Sequence, residues 1–356
     1  MPNYLSQFRS STIFEKLEKN GDNDGRIITV NVSDFGDIEE VVEDSDEAKA
    51  NAMIFIKAYE YAMRILCSAN VEIRINVPAG DYFFPDNDDV NNYIVMGPPQ
   101  GGHIGIFGAG RSGTRPIASL DTTFDESKNL LKAYYRTRFH FLNNGFSLPG
   151  NVGSTTRSSM LFDQIAFFGS SNGFATMRSS TIKRAFAGSY RLQYCAIHGF
   201  TTLDGNTGGI NGNDLQGEKA GSSYAIQASG ASTVSIYSAI IAHCGRAFFA
   251  IDGGSVASYS ANTDADRDVI CQIAWEGIVS GNSGTIRVGT GTTCRSFNTG
   301  GSGSNEFYAY NNGTIVAKSA TYDGNAVTTS AVNTSGPYFT STNGGIMQVG
   351  SGPDGG

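Results

Sequence analysis

Charge is scarce in this chain: 16% of its 356 residues are Asp, Glu, Lys or Arg, and no block of Lys or Arg occurs anywhere. Affinity for phosphates rests on clustered cations, so a net charge of −8 argues against nucleic acid and against an anionic membrane surface as partners. No run approaches the ~20 apolar residues of a membrane span, and the first 25 residues, MPNYLSQFRSSTIFEKLEKNGDNDG, lack the apolar stretch of a secretory signal. Assembly in a cytoplasm is therefore expected. Cysteine is sparse too: Cys67, Cys195, Cys244, Cys271 and Cys294 are odd in number, widely spaced and without a C-x-x-C pair. A zinc centre and a disulfide framework are both unsupported, and the thiols read as small buried apolar groups. The four histidines, His103, His140, His198 and His243, are as scattered, and no cofactor is expected.

Glycine and aromatics are abundant instead. There are 45 Gly, 22 Phe and 16 Tyr, against an average glycine usage of about 7%. A disordered chain would have few aromatics and more net charge, so this composition predicts an ordered all-β protein of short strands and tight turns. Near the start, IITVNVSDFG (27–36) alternates like a strand and then turns at Asp34-Phe35-Gly36. One strong helix follows. Asp44 is its expected N-cap with Glu47 three residues on, and Ala48, Ala52, Phe55, Tyr59, Ala62 and Leu66 mark one buried face. Next come a strand, Val71–Val77, a turn built on the rigid Pro78 and the permissive Gly80, a short strand, Tyr82–Phe84, and HIGIFGAG (103–110).

This order of strand, D-F-G, Ala-rich amphipathic helix, strand, P-A-G-x-Y and short strands resembles the N-terminal cap of the pectate-lyase-like right-handed parallel β-helix of bacteriophage tailspikes and tail fibres. The resemblance covers Ile27 to Gly110. It departs from the family where a D-G-x-x-D-D-T segment is common, since DIEEVVEDSDEA (37–48) stands there. The fold it implies is a single-stranded right-handed parallel β-helix with an N-terminal capping helix. The divisions then become a virion-attachment arm (1–26), the cap with its helix (27–110), coils with inserted loops (111–350) and a tail (351–356).

A stack of coils must show a period, and one is present. FDQIAFFG (162–169) and LQYCAIHG (192–199) align, pairing Ile165 with Cys195, Phe167 with Ile197, and Gly169 with Gly199. Further on, segments align on Val256, Ile286, Ile315 and Ile346, with Tyr224 to Ser238 as a looser member carrying Ser232 at the glycine position. The glycine column, Gly254, Gly284, Gly313 and Gly344, is expected to supply left-handed corners. Phe249, Val279, Tyr308 and Phe339 are expected inside the core with the anchors. Regular hairpins of a β-sandwich are the alternative, but their turns recur every 8–12 residues or so without columns at this longer period. FSLPGNVGSTTRSS (146–159) and NTGGSGSNE (298–306) read as corner loops.

For glycan cleavage, two carboxylates must stand about 5–5.5 or 6.5–9.5 Å apart, or a base must be joined by a cation. Asp252 in AIDGG shares its column with Asn282, Asn311 and Thr342, so it reads first as a corner residue and second as a sugar ligand. Asp264, Asp266 and Asp268 lie together in NTDADRDV without the pattern of an EF-hand loop. Glu276 follows the single tryptophan, Trp275, and an indole beside a carboxylate suits a pyranose ring, although a lone Trp is more often core. Asp204, Asp214 and Glu218 lie in a Gly- and Asn-rich insertion that suits an extended binding loop. The candidates are thus Glu276, Asp264 and Asp268 for catalysis, and Trp275, Asp252, Asp204 and Asp214 for carbohydrate. No G-x-S-x-G, H-E-x-x-H or R-x-P-x-x-R occurs. GAGRSG (108–113) lacks the G-K-[ST] ending and a following helix, so it is a turn and not a phosphate loop.

The resemblance implies a virion protein of a phage tail, homotrimeric so that flat flanks are covered. Its partners would be other tail proteins, reached through the N-terminal arm, and host cell-surface polysaccharide. A polysaccharide depolymerase, hydrolase or lyase, and a baseplate or capsid decoration protein with no receptor role are the alternatives. Weak carboxylate signals favour binding over catalysis.

Overall fold

Alternation decides the strands. In Glu72–Asn76 (EIRIN) and Thr233–Tyr237 (TVSIY) every second residue is buried, the pattern of a strand with one face on a core. The computed structural model of the chain describes residues 27–40, 45–65, 72–84, 94–95, 103–116, 124–141, 144–147, 158–169, 175–179, 188–200, 224–230, 232–259, 269–289, 292–297, 307–317, 321–323 and 339–349. The order begins β1 (Ile27–Asn31), α1 (Asp46–Arg64), β2 (Glu72–Asn76), β3 (Gly80–Phe84), β4 (Ile94–Val95), β5 (His103–Phe107), α2 (Phe124–Tyr134), β6 (Thr137–Phe141) and β7 (Asn144–Ser147). It continues with β8 (Ser158–Asp163), β9 (Ile165–Gly169), β10 (Ala175–Ser179), β11 (Gly188–Gln193), β12 (Ala196–His198), β13 (Tyr224–Ser229), β14 (Thr233–Tyr237), β15 (Ile240–Ile251) and β16 (Ser255–Tyr259). Last come β17 (Val269–Gly281), β18 (Thr285–Val288), β19 (Thr292–Phe297), β20 (Phe307–Tyr310), β21 (Thr314–Ala317), β22 (Thr321–Asp323), β23 (Phe339–Thr342) and β24 (Ile346–Val349).

Among the described residues every pairing between strands is parallel. One sheet of 10 strands, here face A, runs β1-β2-β5-β8-β11-β14-β16-β18-β21-β24. The second sheet holds two rows. Face B runs β3-β6-β9-β12 and face C runs β4-β7-β10-β13, and both rows continue through the long strands β15 and β17. The chain therefore visits A, B and C in turn, and each turn lays its strands on those of the turn before. These all-parallel, stacked sheets are consistent with a parallel β-helix.

Stacking like on like fills the interior. On face A, Ile73, Ile104, Met160 and Tyr190 pair in one row, which continues through Val234, Val256, Ile286 and Ile315. All are buried, each contributing about 1.5–3 kcal/mol. The expected alignment of 162–169 on 192–199 is also present, with Phe167 opposite Ile197 and Gly169 packed against the Gly199 carbonyl. Ser232 sits opposite Gly254's turn, buried, its hydroxyl donating to Ser229 O at 2.7 Å. Near the N-terminal end the filling is aromatic, with Phe139 5.0 Å from Phe55 and 5.3 Å from both Tyr82 and Phe84. Cys195 and Cys244 are buried free thiols, pushed up to about 12 by desolvation.

Helix α1 covers this end with Ala48, Ala52, Phe55, Tyr59 and Ala62 buried as expected, joined by Asn51 and Ala58. Its N-cap is Ser45, not Asp44: the Ser45 hydroxyl accepts from Ala48 N at 3.1 Å, and Asp46 and Glu47 occupy the first turn. Leu66 lies outside the described residues. Asn51 donates to Glu39 O (2.8 Å) and Asp81 O (3.0 Å) and accepts from Glu39 N, tying helix, loop and β3 together. The corner between β2 and β3 is the Pro78–Gly80 turn, with Gly80 at φ +149° and the Tyr82 hydroxyl donating to Pro78 O.

Five further expectations need correction. Of the four corner glycines only Gly344 supplies a left-handed backbone, at φ 77°; at Gly254, Gly284 and Gly313 the two preceding residues do, at φ 51° and 83° (Asp252, Gly253), 47° and 64° (Asn282, Ser283), and 45° and 61° (Asn311, Asn312). Glycine is required for a different reason: a Cβ on Gly254, Gly284 or Gly313 would lie 2.2–2.3 Å from a carbonyl oxygen of the preceding rung. The last rung is shifted by one residue. Ile315 faces Met347 and not Ile346, the close-packed glycine is Gly345 and not Gly344, and Phe339 faces Phe307. The Phe249–Val279–Tyr308 column points away from the shaft: the core column is Phe248, Ile278 and Phe307, while Phe249 and Val279 join Tyr224 in a separate outer cluster. A second helix, α2, lies on the outside of face B, so a helix does follow residues 108–113. Phe146, expected in a loop, is a buried strand residue.

Adding one methyl at Gly284 forces the corner away from Ala250 O. Gly284→Ala should lower stability by about 1–3 kcal/mol in denaturant unfolding, the range of overpacked sites, whereas Gly113→Ala, with nothing within 4 Å, tests backbone strain alone and should cost less.

Candidate functional site

Of the residues singled out from the sequence, Asp204, Asp214, Asp264 and Asp268 lie outside the described residues, as do Asp266 and Glu218. Trp275 and Glu276 fall within β17, where Glu276 is the backbone partner of Arg246. Asp252 is described in full. It opens the turn Ile251–Gly254, closed by Gly254 N donating to Ile251 O at 2.9 Å, and both central residues have positive φ, as in a type I′ turn. The same turn recurs one rung on at each step, and its first central residues form an amide ladder. Asn282 Nδ2 donates to Asp252 Oδ1 (3.1 Å), Asn311 Nδ2 to Asn282 Oδ1 (3.0 Å), and Asn343 Nδ2 to Asn311 Oδ1 (3.3 Å), across sequence separations of 30, 29 and 32. Asn343 takes the place expected for Thr342. Asp252 is thus the terminal acceptor of a hydrogen-bonded corner, and its nearest functional neighbours in the ladder are amides, not a second carboxylate.

Among the described residues, the outside of face A carries exposed aromatic and cationic side chains. Tyr237 pairs in register with Tyr259, and their rings stack at 5.0 Å and 18°; Tyr259 is 42% exposed. The Arg191 guanidinium lies 4.0 Å above the Tyr237 ring, a cation–π contact that fixes an otherwise mobile side chain. Arg191 and Arg287 are both exposed. Toward the corner, Arg111 lies 4.5 Å over the Tyr194 ring and donates to the Tyr134 hydroxyl at 3.2 Å. Below Tyr237 in the same outward row come Gln193 and then Asp163. Burial raises the Asp163 carboxyl above the ordinary Asp value, against a hydrogen bond from Gln164 and the fields of Arg111 and Arg191; its Oδ1 is buried without a hydrogen-bond partner. Flat rings, guanidinia and one partly buried carboxyl on a rigid sheet form a surface suited to a sugar chain.

Two polar clusters lie under α2 and have a different character. Arg138 donates to both Asp81 oxygens (2.8 and 2.7 Å) and to the carbonyls of Lys132 and Tyr135, and His140 Nε2 is 2.6 Å from Asp81 Oδ1. Burial alone would raise the Asp81 carboxyl, but the Arg138 and His140 hydrogen bonds outweigh it and hold it at about 2. This network fastens α2 to face B. Beside it, His198 and His243 lie with ring centroids 4.9 Å apart, each against Phe124 at the start of α2 (4.7 and 5.6 Å). Both are buried, and none of their ring nitrogens has a hydrogen-bond partner. Desolvation pushes both down, His243 to about 3; for His198, the neighbouring His243, Lys128 and Lys132 add to the effect. Neither the arginines and tyrosines of face A nor these clusters were singled out from the sequence.

No group of three or more potential metal ligands occurs among the described residues. Compared with known proteins, the chain matches no family model, no curated protein and no solved structure.

The histidine pair fixes an acid response. Its folded-state pKa values lie below the unfolded value of about 6.5, so its contribution is intact above that pH and is lost as pH falls from about 6.5 toward 3. The Asp81 carboxylate remains ionised through most of that window. At pH 5 the opening equilibrium of α2 should rise by about 30-fold for each imidazole relative to pH 7.5 or above, read as hydrogen exchange of residues 124–134 corrected for intrinsic rates. His198→Phe with His243→Phe should suppress the rise, and equal protection of the wild type at both pH values would contradict the assignment.

Proposed function

We propose that the protein is a phage tail fibre or tailspike protein that attaches a virion to host-surface glycan. In this reading it is a right-handed, single-stranded β-helix working as a homotrimer, with residues 1–26 joining other virion proteins. The supporting observation is the Tyr237–Tyr259 stack with Arg191 on a sheet whose strands are fixed by neighbours above and below. A rigid platform loses little entropy on binding, so weak sugar contacts yield net affinity. Three copies on one axis would raise it by avidity, typically 10²–10⁴-fold, and would cover flanks that a single slender stack leaves exposed.

Cleavage of the bound glycan is the second reading, favoured by Asp163. A carboxyl that holds its proton closer to neutrality, in the same outward row as the tyrosines, is the kind of group that serves as a general acid. Glu276, Asp264 and Asp268 remain candidates for its partner. Asp163→Asn would then abolish shortening of host polysaccharide while leaving binding intact.

The primary reading predicts a trimer by native mass measurement at micromolar concentration. It also predicts binding to purified host-surface polysaccharide that falls at least tenfold in Tyr237→Ala/Tyr259→Ala, with the thermal unfolding midpoint little changed. A stable monomer, or binding indifferent to both tyrosines, would remove it in favour of a decoration protein without receptor role.

A further inference from the structure

Resting on the glycan-attachment reading, we propose that face A takes an acidic polysaccharide, with Arg191 and Arg287 each holding an anionic group on the same chain. In register, Arg191 pairs with Ser235, Ser235 with Ala257, and Ala257 with Arg287. The two arginines therefore stand in one outward row three rungs apart, about 14 Å at the 4.7–4.9 Å spacing of strands, a span of a few pyranose units. Between them the row holds only the small side chains of Ser235 and Ala257. Two positions along each strand on one side rise Tyr237 and Tyr259, and two positions along on the other side stand the hydroxyls of Thr233, Ser255 and Thr285. The result is a shallow trough with an aromatic wall, a hydroxyl wall and a guanidinium at each end.

Charge argues for the acidic ligand over a neutral one. The chain carries 33 acidic and 25 basic residues, yet Arg191 and Arg287 are exposed, and neither forms an ion pair among the described residues. The carboxyl of Asp163 acts on Arg191 through its field, without a direct ion pair. A neutral glycan needs only the rings and hydroxyls. Two guanidinia, one of them held over a tyrosine ring, present fork-shaped donors that match carboxylate, sulfate or phosphate groups. The tyrosine wall selects a sugar backbone over other polyanions: Tyr237 is held between Arg191 and Tyr259, and the opposite face of the Tyr259 ring is left to meet the C–H face of a pyranose.

The test is binding of the full chain to immobilised bacterial surface polysaccharides of both charge classes, together with polyuronate, its carboxyl-reduced neutral counterpart and polyaspartate. Acidic polysaccharides should bind, and should weaken as salt rises because exposed charges are screened over about 10 Å at 0.1 M. The carboxyl-reduced form and polyaspartate should bind at least tenfold more weakly. Arg191→Gln and Arg287→Gln should each cost about tenfold on the acidic polysaccharides, the scale of a charge-assisted hydrogen-bonded contact. Equal binding of reduced and unreduced polymer, or arginine variants that bind like the wild type, would overturn the acidic assignment and leave glycan attachment standing. Preference for polyaspartate would make the face a general polyanion surface and overturn it too. Silence across every polysaccharide would overturn the attachment reading itself.

Discussion

The close vertical approach of one rung to the next governs this structure. At the corner between faces C and A the backbone passes so near the preceding rung that a single Cβ at Gly254, Gly284 or Gly313 would press on a carbonyl at 2.2–2.3 Å. Corner backbones at that spacing continue the ladder, with Thr285 N donating to Gly254 O and Thr314 N to Gly284 O, both at 2.9 Å. Left-handed residues make the turn and glycine makes the approach, two jobs on adjacent positions. Asparagine suits the first because its short amide tolerates positive φ and can bond to the amide above. The D-G-G, N-S-G and N-N-G triplets are that division of labour written in sequence.

Register, once fixed at the corner, fixes everything outside the shaft. Each outward row becomes a column of side chains at strand spacing, and its chemistry depends on what successive rungs happen to contribute. At the C-to-A corner the column is amides, and they satisfy one another. On face B it is Phe83, His140, Phe168 and His198, with Lys49 of α1 over Phe83 and α2 residues over Phe168 and His198. On face A no described helix lies over the columns, and there tyrosines, arginines and hydroxyls lie on a surface whose stiffness comes from backbone pairing and not from their own contacts. A sheet held this way can vary its outer residues without disturbing the core, which is a physical reason to look for recognition on it.

Much of the fold was legible because a thirty-residue period left identical residue types at identical positions. Helix α1, the Pro78–Gly80 corner and the row Val256–Ile286–Ile315 all carried local chemistry that pointed one way. The last rung misled because two glycines, Gly344 and Gly345, compete for one column, and only the carbonyl of Ala309 identifies which is close-packed. The Phe249–Val279–Tyr308 column misled because two adjacent apolar columns run along face C, and hydrophobicity alone cannot tell inward from outward. The face A surface was hidden by unequal rungs: Val234 to Val256 spans 256 − 234 = 22 residues and Ile104 to Met160 spans 160 − 104 = 56. At those intervals a search at thirty residues does not place Tyr237 on Tyr259. Helix α2 was missed because its short amphipathic pattern lies between β segments and its covered face is small.

In-register stacking at the corner is the claim on which the rest stands, and directed cross-linking tests it. Cysteines at 252 and 282 should form a disulfide readily under mild oxidation, since adjacent rungs place Cα atoms within the 4.4–6.8 Å or so that a disulfide spans, while a pair at 252 and 311, two rungs apart, should not. Cross-linking of the 252–311 pair, or failure of the 252–282 pair in folded protein, would contradict the stack.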